Sequence, residues 1–150
     1  MTDLNIRPAV LDDLSAIVAM LADDPLGAGR ETPDDLAPYQ DAFARLATDP
    51  NQHLIVAERE GRVVGTLQLS VIPGLSRRGA TRTVIEAVRI QADERGSGLG
   101  SELIQWAVDR SHELGANLVQ LTSDATRTDA HRFYERLGFV ASHLGFKLAL

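Results

Sequence analysis

One stretch constrains the fold of this chain more than any other: residues 84–101, with the sequence VIEAVRIQADERGSGLGS. Its first half is rich in β-branched residues, which predicts a strand over residues 84–91. Three glycines follow at alternate positions, and Ser101 and Glu102 suit the first turn of a helix. A glycine-rich turn at a helix start gathers free backbone N–H groups at the positive end of the helix dipole. The stretch therefore predicts a phosphate or pyrophosphate site, with Arg95 as a fixed cation beside it.

Two common phosphate-binding motifs do not fit this turn. A Walker loop needs a lysine directly after its glycines, and here Ser101 follows them instead. A dinucleotide-binding fold needs G-x-G-x-x-G after an early strand. In this chain the spacing is G-x-G-x-G, and the strand lies past the middle of the sequence. Taken alone, the turn is also compatible with a tight strand-to-helix connection that binds nothing.

Periodic apolar residues along the rest of the chain predict a single α/β domain over residues 1–150 with a mixed sheet. Thr32 and Pro33 fit the N-cap and the first position of the second helix. A basic loop over residues 76–82 is either a solvated connection between two strands or a contact for phosphate or for an acidic substrate. The predicted strands cover residues 4–8, 54–60, 63–72, 84–91, 118–122, 139–142 and 146–150, and the predicted helices cover residues 11–21, 30–49, 99–114 and 129–137.

Composition narrows the range of partners. The chain has 150 residues and a net charge of −6, which disfavours nucleic acid as a partner. It has no cysteine, so disulfides and thiolate chemistry are excluded, and its four histidines lack metal-ligand spacing, so we expect no metal. Neither a signal peptide nor a long apolar segment is visible in the sequence. We therefore expect no membrane association and a cytoplasmic location.

Two motifs give the pattern a more specific meaning. The run from Arg95 to Gly100, RGSGLG, fits [QR]-x-x-G-x-[GA] and resembles the acetyl-coenzyme A signature of the GCN5-related N-acetyltransferases (GNAT). The run DAHRFYERLGF at residues 129–139 looks like the A-x-x-F-Y-x-x-L-G-F element of the same family. Both motifs occur in the family's order, separated by one predicted helix and one predicted strand. The resemblance covers about residues 54–149, whereas the first 50 residues match only in their order of elements.

The resemblance implies a fold and a place for acetyl-CoA. It implies a mostly antiparallel sheet flanked by helices, in which strands four and five splay apart and admit the coenzyme (the acyl-CoA N-acyltransferase fold). Main-chain groups of Val88, Arg89 and Ile90 are then expected to pair with the pantetheine arm like an added strand. Arg127 stands where the family often has an asparagine; a guanidinium cannot accept a hydrogen bond, but it could meet a coenzyme phosphate. The pyrophosphate is expected on the backbone N–H groups of Gly96, Ser97, Gly98, Leu99, Gly100 and Ser101.

The resemblance also implies the chemistry, which is transfer of acetyl from acetyl-CoA to a primary amine of a small molecule, by direct attack through a tetrahedral intermediate. A backbone N–H near residues 88–90 would stabilise the oxyanion. Tyr134 matches the family's tyrosine near the coenzyme sulfur and is the expected general acid. The alternative is that Tyr134 only packs in the core with its hydroxyl at the rim.

Glu86 is the candidate general base. Its even spacing with Val88 and Ile90 predicts that all three side chains face one side of the sheet, where the carboxylate could be partly buried. Two alternatives stay open for this residue. Glu86 could form an ion pair with an arginine of the loop over residues 76–82, or a water molecule could carry the proton in its place.

Two other functions are compatible with the same motifs. The chain could acetylate a lysine or an N-terminus of a protein, because its acidic charge would attract a basic peptide. It could instead be a module that binds acyl-CoA as a sensor without turnover. Members of the family often dimerise, so the resemblance also implies a possible homodimer.

Overall fold

A five-stranded mixed sheet forms the centre of the protein, whose computed structural model describes residues 3–150. The strands lie in chain order across the sheet. The first four are antiparallel to their neighbours, and the fifth is parallel to the fourth. This confirms the predicted class, a mixed and mostly antiparallel sheet flanked by helices. The strands are β1 (Leu4–Pro8), β2 (Gln52–Arg59), β3 (Arg62–Pro73), β4 (Thr81–Ile90) and β5 (Leu118–Leu121).

Helices cover both faces of the sheet. Leu14 and Ile17 of the first helix pack with Val56 on one face, and the long third helix packs on the other. In the part of the chain from residue 3 to residue 150, no helix combines the length and the apolar character needed to cross a membrane. The helices are α1 (Leu14–Ala22), α2 (Ala37–Ala47), α3 (Leu99–Glu113) and α4 (Thr128–Arg136), with short 3-10 turns at Leu11–Asp13, Gly27–Gly29 and Ala92–Glu94.

The main core lies between α3 and the sheet. Leu67, Ile85 and Leu103 are at most 1% exposed there, and burial of each side chain contributes roughly 1.5–3 kcal/mol to stability. The hydroxyl groups of Thr83 on β4 and Ser111 on α3 are also buried, and their oxygens lie 2.7 Å apart. Because each hydroxyl finds a partner, the polar pair is tolerated inside an otherwise apolar layer.

An ion-pair cluster fixes the start of the chain against the sheet. The Arg7 guanidinium donates to Asp13 at 2.8 and 3.1 Å, and to Glu58 on β2 at 2.7 Å. Asp13 also accepts the backbone N–H of Val10 at 2.7 Å. The hydrogen bonds from Arg7, followed by the one from Val10, lower the pKa of the Asp13 carboxyl although its burial acts in the opposite direction. The cluster therefore joins β1, the following 3-10 turn and β2.

The second helix begins at Ala37, four residues after Pro33, the predicted first helical residue. The Thr32 carbonyl accepts the N–H of Asp35 at 3.0 Å, which closes a turn, and the Asp35 side chain accepts the N–H of Ala37 at 3.1 Å. The prediction of Thr32 as N-cap and Pro33 as the first helical residue is therefore wrong. Asp35 satisfies the helix start instead, because its carboxylate reaches the N–H two residues on.

The basic loop is shorter than predicted, because β4 already begins at Thr81. Within the loop, Ser76–Gly79 forms one turn in which Arg77 and Arg78 have φ of 54° and 62°. Residues other than glycine adopt this left-handed conformation at a cost of roughly 1–2 kcal/mol each.

The two last predicted strands do not form. From residue 140 to residue 150 the chain has no regular secondary structure, and we call this segment the C-terminal tail. The last backbone hydrogen bond that involves the end of the chain is the one from the Phe139 N–H to the Tyr134 carbonyl at 3.1 Å. A strand requires a neighbour to pair with, and within residues 3–150 the tail has none. The predictions of strands at residues 139–142 and 146–150 are therefore wrong for the single chain.

Candidate active site

The site is built around an opening between β4 and β5. The parallel ladder pairs Arg82–Ile85 of β4 with Leu118–Leu121 of β5 and then stops. β4 continues to Ile90, so residues 86–90 have no strand beside them on the β5 side in the described chain. This confirms the predicted splay of strands four and five. The unpaired edge offers backbone donors and acceptors to an extended ligand.

A β-bulge at the start of the opening bends β4. Ala87 has φ of 54°, an unusual value for a residue with a side chain inside a strand. Across the ladder, Gln68 pairs with Glu86 and Thr66 pairs with Arg89, so Ala87 and Val88 oppose a single residue of β3. Extra twist at a bulge carries the strand away from its former neighbour. The bulge therefore marks the point where β4 leaves β5.

The bulge also corrects the predicted direction of Glu86. Val88 and Ile90 pack against the core beneath α3. Glu86 lies on the opposite face together with Arg89, because their partners Gln68 and Thr66 are two residues apart on β3. The prediction that Glu86, Val88 and Ile90 share one face is wrong, because one extra residue reverses the alternation.

Glu86 is free for contact with a ligand. Its side chain is exposed, which corrects the expectation of partial burial. Among the residues that the structure describes, none forms an ion pair or a hydrogen bond with its carboxylate. The alternative of an ion pair with an arginine of residues 76–82 is therefore not realised.

The glycine-rich turn presents a row of free backbone donors. Gly98 precedes α3 with φ of 87°, where a side chain would strain the backbone. The Ser97 N–H donates to the Glu94 carbonyl at 3.3 Å. The other N–H groups of the turn donate no backbone hydrogen bond anywhere between residues 3 and 150, and they belong to Gly96, Gly98, Leu99, Gly100 and Ser101. Five unpaired N–H groups at a helix start are donors of the kind that bind anions in proteins.

Ion pairs hold the segment before this turn in place. Arg59 on β2 donates to Glu94 at 2.6 Å, and Arg62 donates to both oxygens of Asp93 at 2.6 and 2.9 Å. The first pair is about four-fifths buried, whereas the second is more than half exposed. The hairpin of β2 and β3 thus fixes the 3-10 turn that leads into the glycines. Sequence analysis missed these ion pairs because 31 to 35 residues separate the partners in the sequence.

Close packing brings α4 to the start of α3. A Cβ atom on Gly100 would lie 3.4 Å from the ring of Phe133, so glycine allows the two helices to approach closely. Next along α4, Tyr134 packs edge-on against Phe133 at 5.1 Å and against Phe139 at 6.0 Å. The second motif therefore faces the first across the opening.

Tyr134 retains a free hydroxyl. Its ring packs against the main core, and its hydroxyl forms no hydrogen bond with any residue in the described range. Burial raises the pKa of the Tyr134 phenol above its ordinary value of 10.0, although the charges of Arg127 and Arg89 act in the opposite direction. The phenol is therefore protonated at neutral pH and can donate a proton or a hydrogen bond.

Two arginines place positive charge near Tyr134. The Nε atom of Arg89 lies 3.0 Å from an Asp24 carboxylate oxygen, and its guanidinium also donates to the Val88 carbonyl at 2.9 Å. Arg127 is exposed at the start of α4 and has no ion-pair partner among residues 3–150. Hydrogen bonding by the Gly27 N–H, with smaller effects of Arg89 and Arg127, lowers the pKa of Asp24. The segment after α1 thus closes one side of the opening.

Arg95 lies on the same side as this segment. Its guanidinium is 56% exposed and lies 3.8 Å from the Asp23 carboxylate. Sequence analysis missed both Asp23 and Asp24. The only local signal was an acidic pair before Pro25, between a predicted helix and a glycine-rich segment.

Comparisons with known proteins identify the family to which this fold and these two motifs belong. The sequence profile of the Acetyltransferase (GNAT) family matches residues 15–139. The chain is 37% identical over 116 residues to the aminoalkylphosphonate N-acetyltransferase of Salmonella typhimurium, covering 77% of this chain and 75% of that protein. It is 29% identical over 141 residues to the L-methionine sulfoximine/L-methionine sulfone acetyltransferase of Pseudomonas aeruginosa, covering 92% of this chain and 81% of that protein.

A solved structure extends the similarity to nearly the full chain. It is described as a transcriptional regulator from Bacillus halodurans, is 45% identical, and superposes with a TM-score of 0.95 over 99% of this chain and 100% of that one. The splayed sheet, the two motifs and the profile match agree. They confirm the predicted enzyme class, an acetyl-CoA-dependent N-acetyltransferase. The chain belongs to the acetyltransferase (GNAT) family.

Proposed function

We propose that this protein transfers the acetyl group of acetyl-CoA to the primary amine of a small molecule. The proposal depends on three features that lie at the same opening between β4 and β5. They are the row of five unpaired N–H groups, the unpaired strand edge at residues 86–90 and the free phenol of Tyr134. The first two features suit a ligand with a diphosphate and an extended amide arm, and the third suits proton donation to a leaving group.

The residues present fit acetyl-CoA, which supplies an acetyl group activated as a thioester. The N–H groups of Gly96 and residues 98–101 would hold the diphosphate, and Ser97 would join them if its bond to Glu94 opened. Arg95 and Arg127 are exposed cations that could approach phosphate groups. Main-chain groups of residues 88–90 would pair with the pantetheine arm, although the Arg89 side chain already occupies the Val88 carbonyl.

The proposed chemistry assigns one task to each group. The Tyr134 phenol donates a proton to the departing thiolate after direct attack by the amine. A backbone N–H near residues 88–90 stabilises the oxyanion. Glu86, exposed and unpaired, accepts the amine proton directly or through water. The carboxylate lies on the α1 side of β4, so the acceptor amine would enter from that side.

We further propose that the acceptor carries an anionic group. The Salmonella relative is named for aminoalkylphosphonates, in which an amine and an anion belong to one small molecule. The charges of Arg89 and Arg127 act on Tyr134, so cationic groups lie near the expected reaction centre. Arg89 is already paired with Asp24, which leaves Arg127 as the better candidate to bind the anion. In this assignment Arg127 serves the acceptor instead of the coenzyme, and Arg95 remains the cation for a coenzyme phosphate.

A thiol-release assay with acetyl-CoA tests the proposal. The amines to compare are 2-aminoethylphosphonate, an amino acid, ethanolamine as the matched amine without an anion, and a lysine peptide. We expect the phosphonate to give the highest kcat/KM. The kcat/KM for ethanolamine should be lower by a factor of at least about ten, as loss of a charged hydrogen bond predicts. Arg127→Gln should narrow the gap between these two amines.

Other outcomes of the thiol-release assay would favour one of the two alternative functions. Binding of acetyl-CoA without thiol release from any amine would favour the sensor, and release with the peptide alone would favour a protein acetyltransferase. Absence of acetyl-CoA binding in calorimetry would overturn the proposal at its base. Gly98→Asp serves as the matched negative control, because it adds a side chain and a negative charge to the N–H row while leaving Tyr134 and Arg127 in place.

A further inference from the structure

A row of polar side chains lies on β3, on the face of the sheet beneath α1. Thr66 pairs with Val56, which packs against α1, so Thr66, Gln68 and Ser70 all lie on this face. The residues between them face the main core. Thr66 and Ser70 are only 1% and 8% exposed. Polar groups on a covered strand need hydrogen-bond partners, so each member of the row can be asked where its bonds go.

Gln68 has one end of its amide fixed and the other end free. Its Nε2 atom donates to Oε1 of Gln52 on β2 at 2.8 Å, and the Ser70 hydroxyl donates to the same oxygen at 2.9 Å. The Thr66 hydroxyl is satisfied separately, because it donates to the Ile55 carbonyl at 2.9 Å. The Gln68 carbonyl oxygen accepts no hydrogen bond from any residue between 3 and 150. An amide held at its nitrogen end presents this oxygen in a preorganised direction.

Glu86 is the neighbour of Gln68 on β4. The two residues pair across the ladder, so their Cβ atoms lie roughly 5 Å apart on the same face. On its other side Gln68 pairs with Leu54, which belongs to the apolar cluster beneath α1. Gln68 is half-buried, whereas Glu86 is exposed. Two oxygens that can accept hydrogen bonds therefore lie side by side where β4 begins to leave β5.

We propose that Gln68 selects primary over secondary amines, because its carbonyl oxygen accepts one N–H of the attacking amine while Glu86 accepts the other. This assignment rests on the proposed function. A neutral primary amine has two N–H groups and one lone pair. When both N–H groups are held by oxygens, the lone pair has one direction left, toward the thioester carbonyl carbon. A secondary amine has a single N–H and leaves the Gln68 oxygen against an alkyl group, without a partner.

The thiol-release assay tests this assignment with a matched pair of amines, 2-aminoethylphosphonate and its N-methyl derivative. The anion is the same in both, so only the amine differs. We expect the wild type to prefer the primary amine. Gln68→Met should lower kcat/KM for the primary amine about tenfold and change that for the N-methyl amine less than about twofold. Ser70→Ala is the matched control, because it removes a hydrogen bond from the same cluster but leaves the bond between Gln68 and Gln52.

A second variant guards against a local change in packing. Gln68→Asn keeps an amide but withdraws it by one methylene group, and it should lose the preference as Gln68→Met does. The affinity for acetyl-CoA, measured by calorimetry, should be unchanged in all three variants. A wild-type ratio of the two kcat/KM values in both Gln68 variants, or an equal loss with both amines, would overturn the assignment and leave the proposed function intact. Absence of thiol release from either amine in the wild type would overturn the proposed function as well.

Discussion

Tyr134 combines a ring packed between two phenylalanines with a hydroxyl that no residue of the described chain occupies. A hydroxyl without a hydrogen-bond partner destabilises a fold unless it contacts solvent or a ligand. Phenylalanine would preserve the packing at this position, so the hydroxyl is the part of the side chain that needs a functional explanation. A substitution can therefore separate proton donation from packing.

Tyr134→Phe should lower kcat about 100-fold, as expected for loss of a general acid. The dissociation constant of acetyl-CoA should remain close to that of the wild type, because the N–H row is untouched. Tyr39→Phe is the matched control: its hydroxyl accepts the Thr32 N–H at 2.9 Å and donates to Glu31 at 3.0 Å, within the segment before α2. Steady-state kinetics and calorimetry provide the readouts. An unchanged kcat in Tyr134→Phe would exclude the proposed role.

Asp13→Asn should lower the free energy of unfolding by about 2 kcal/mol near neutral pH, because Arg7 loses one of its two carboxylate partners and keeps only Glu58. The pKa of Asp13 is lowered from 3.8, so its contribution is fully present above that value and is lost as pH falls through the lower folded-state pKa. The difference between wild type and variant should therefore shrink in acid. Urea unfolding at several pH values measures it, with exposed Asp12→Asn as the control that should change little.

At the scale of elements, the proposed anion site depends on the ion pairs that hold its turn as much as on its glycines. The hairpin of β2 and β3 fixes the 3-10 turn at Ala92–Glu94, and that turn leads directly into the free N–H groups. Ordering of the turn before a ligand arrives reduces the entropy that binding must remove. The Arg59–Glu94 pair should therefore influence the affinity for the coenzyme without touching it.

Arg59→Met should weaken acetyl-CoA binding about tenfold, as loss of one mostly buried charged hydrogen bond predicts, while kcat at saturation stays close to wild type. Arg62→Met provides the comparison, because its pair with Asp93 is more exposed and should contribute less. Calorimetry measures affinity, and the thiol-release assay measures kcat. Equal effects of the two substitutions would refute the role assigned to burial.

The elements that sequence analysis predicted correctly are those with local signals. The glycines and the strand before them indicated the turn that leads into α3, and helical spacing indicated α1, α3 and α4. The bulge at Ala87 was missed because alanine is not a residue that favours positive φ, so nothing in the sequence marks it. The final strands were predicted from a real alternation, but strand formation also depends on a partner that a single chain does not supply. The roles of Tyr134 and Glu86, a single domain and a cytoplasmic location stay predictions.

At the scale of the whole molecule, the homodimer that the family resemblance implies would make stability depend on concentration. Association adds free energy to the folded state by mass action, so a tenfold increase in protein should raise Tm by about 2 °C for a dimer of this size. Differential scanning calorimetry at three concentrations provides the measurement. A constant Tm in the wild type would argue against a dimer that dissociates on unfolding.

The left-handed residue in β4 limits which side chains position 87 can accept. Valine or isoleucine at position 87 would resist positive φ and favour regular extended backbone. Because the extra residue would remain in β4, straightening the strand would shift its register and turn Val88 and Ile90 away from the core. Such a variant should therefore melt at a lower temperature than the wild type, and removal of residue 87, not its replacement, is the change that would restore a regular ladder along the opening.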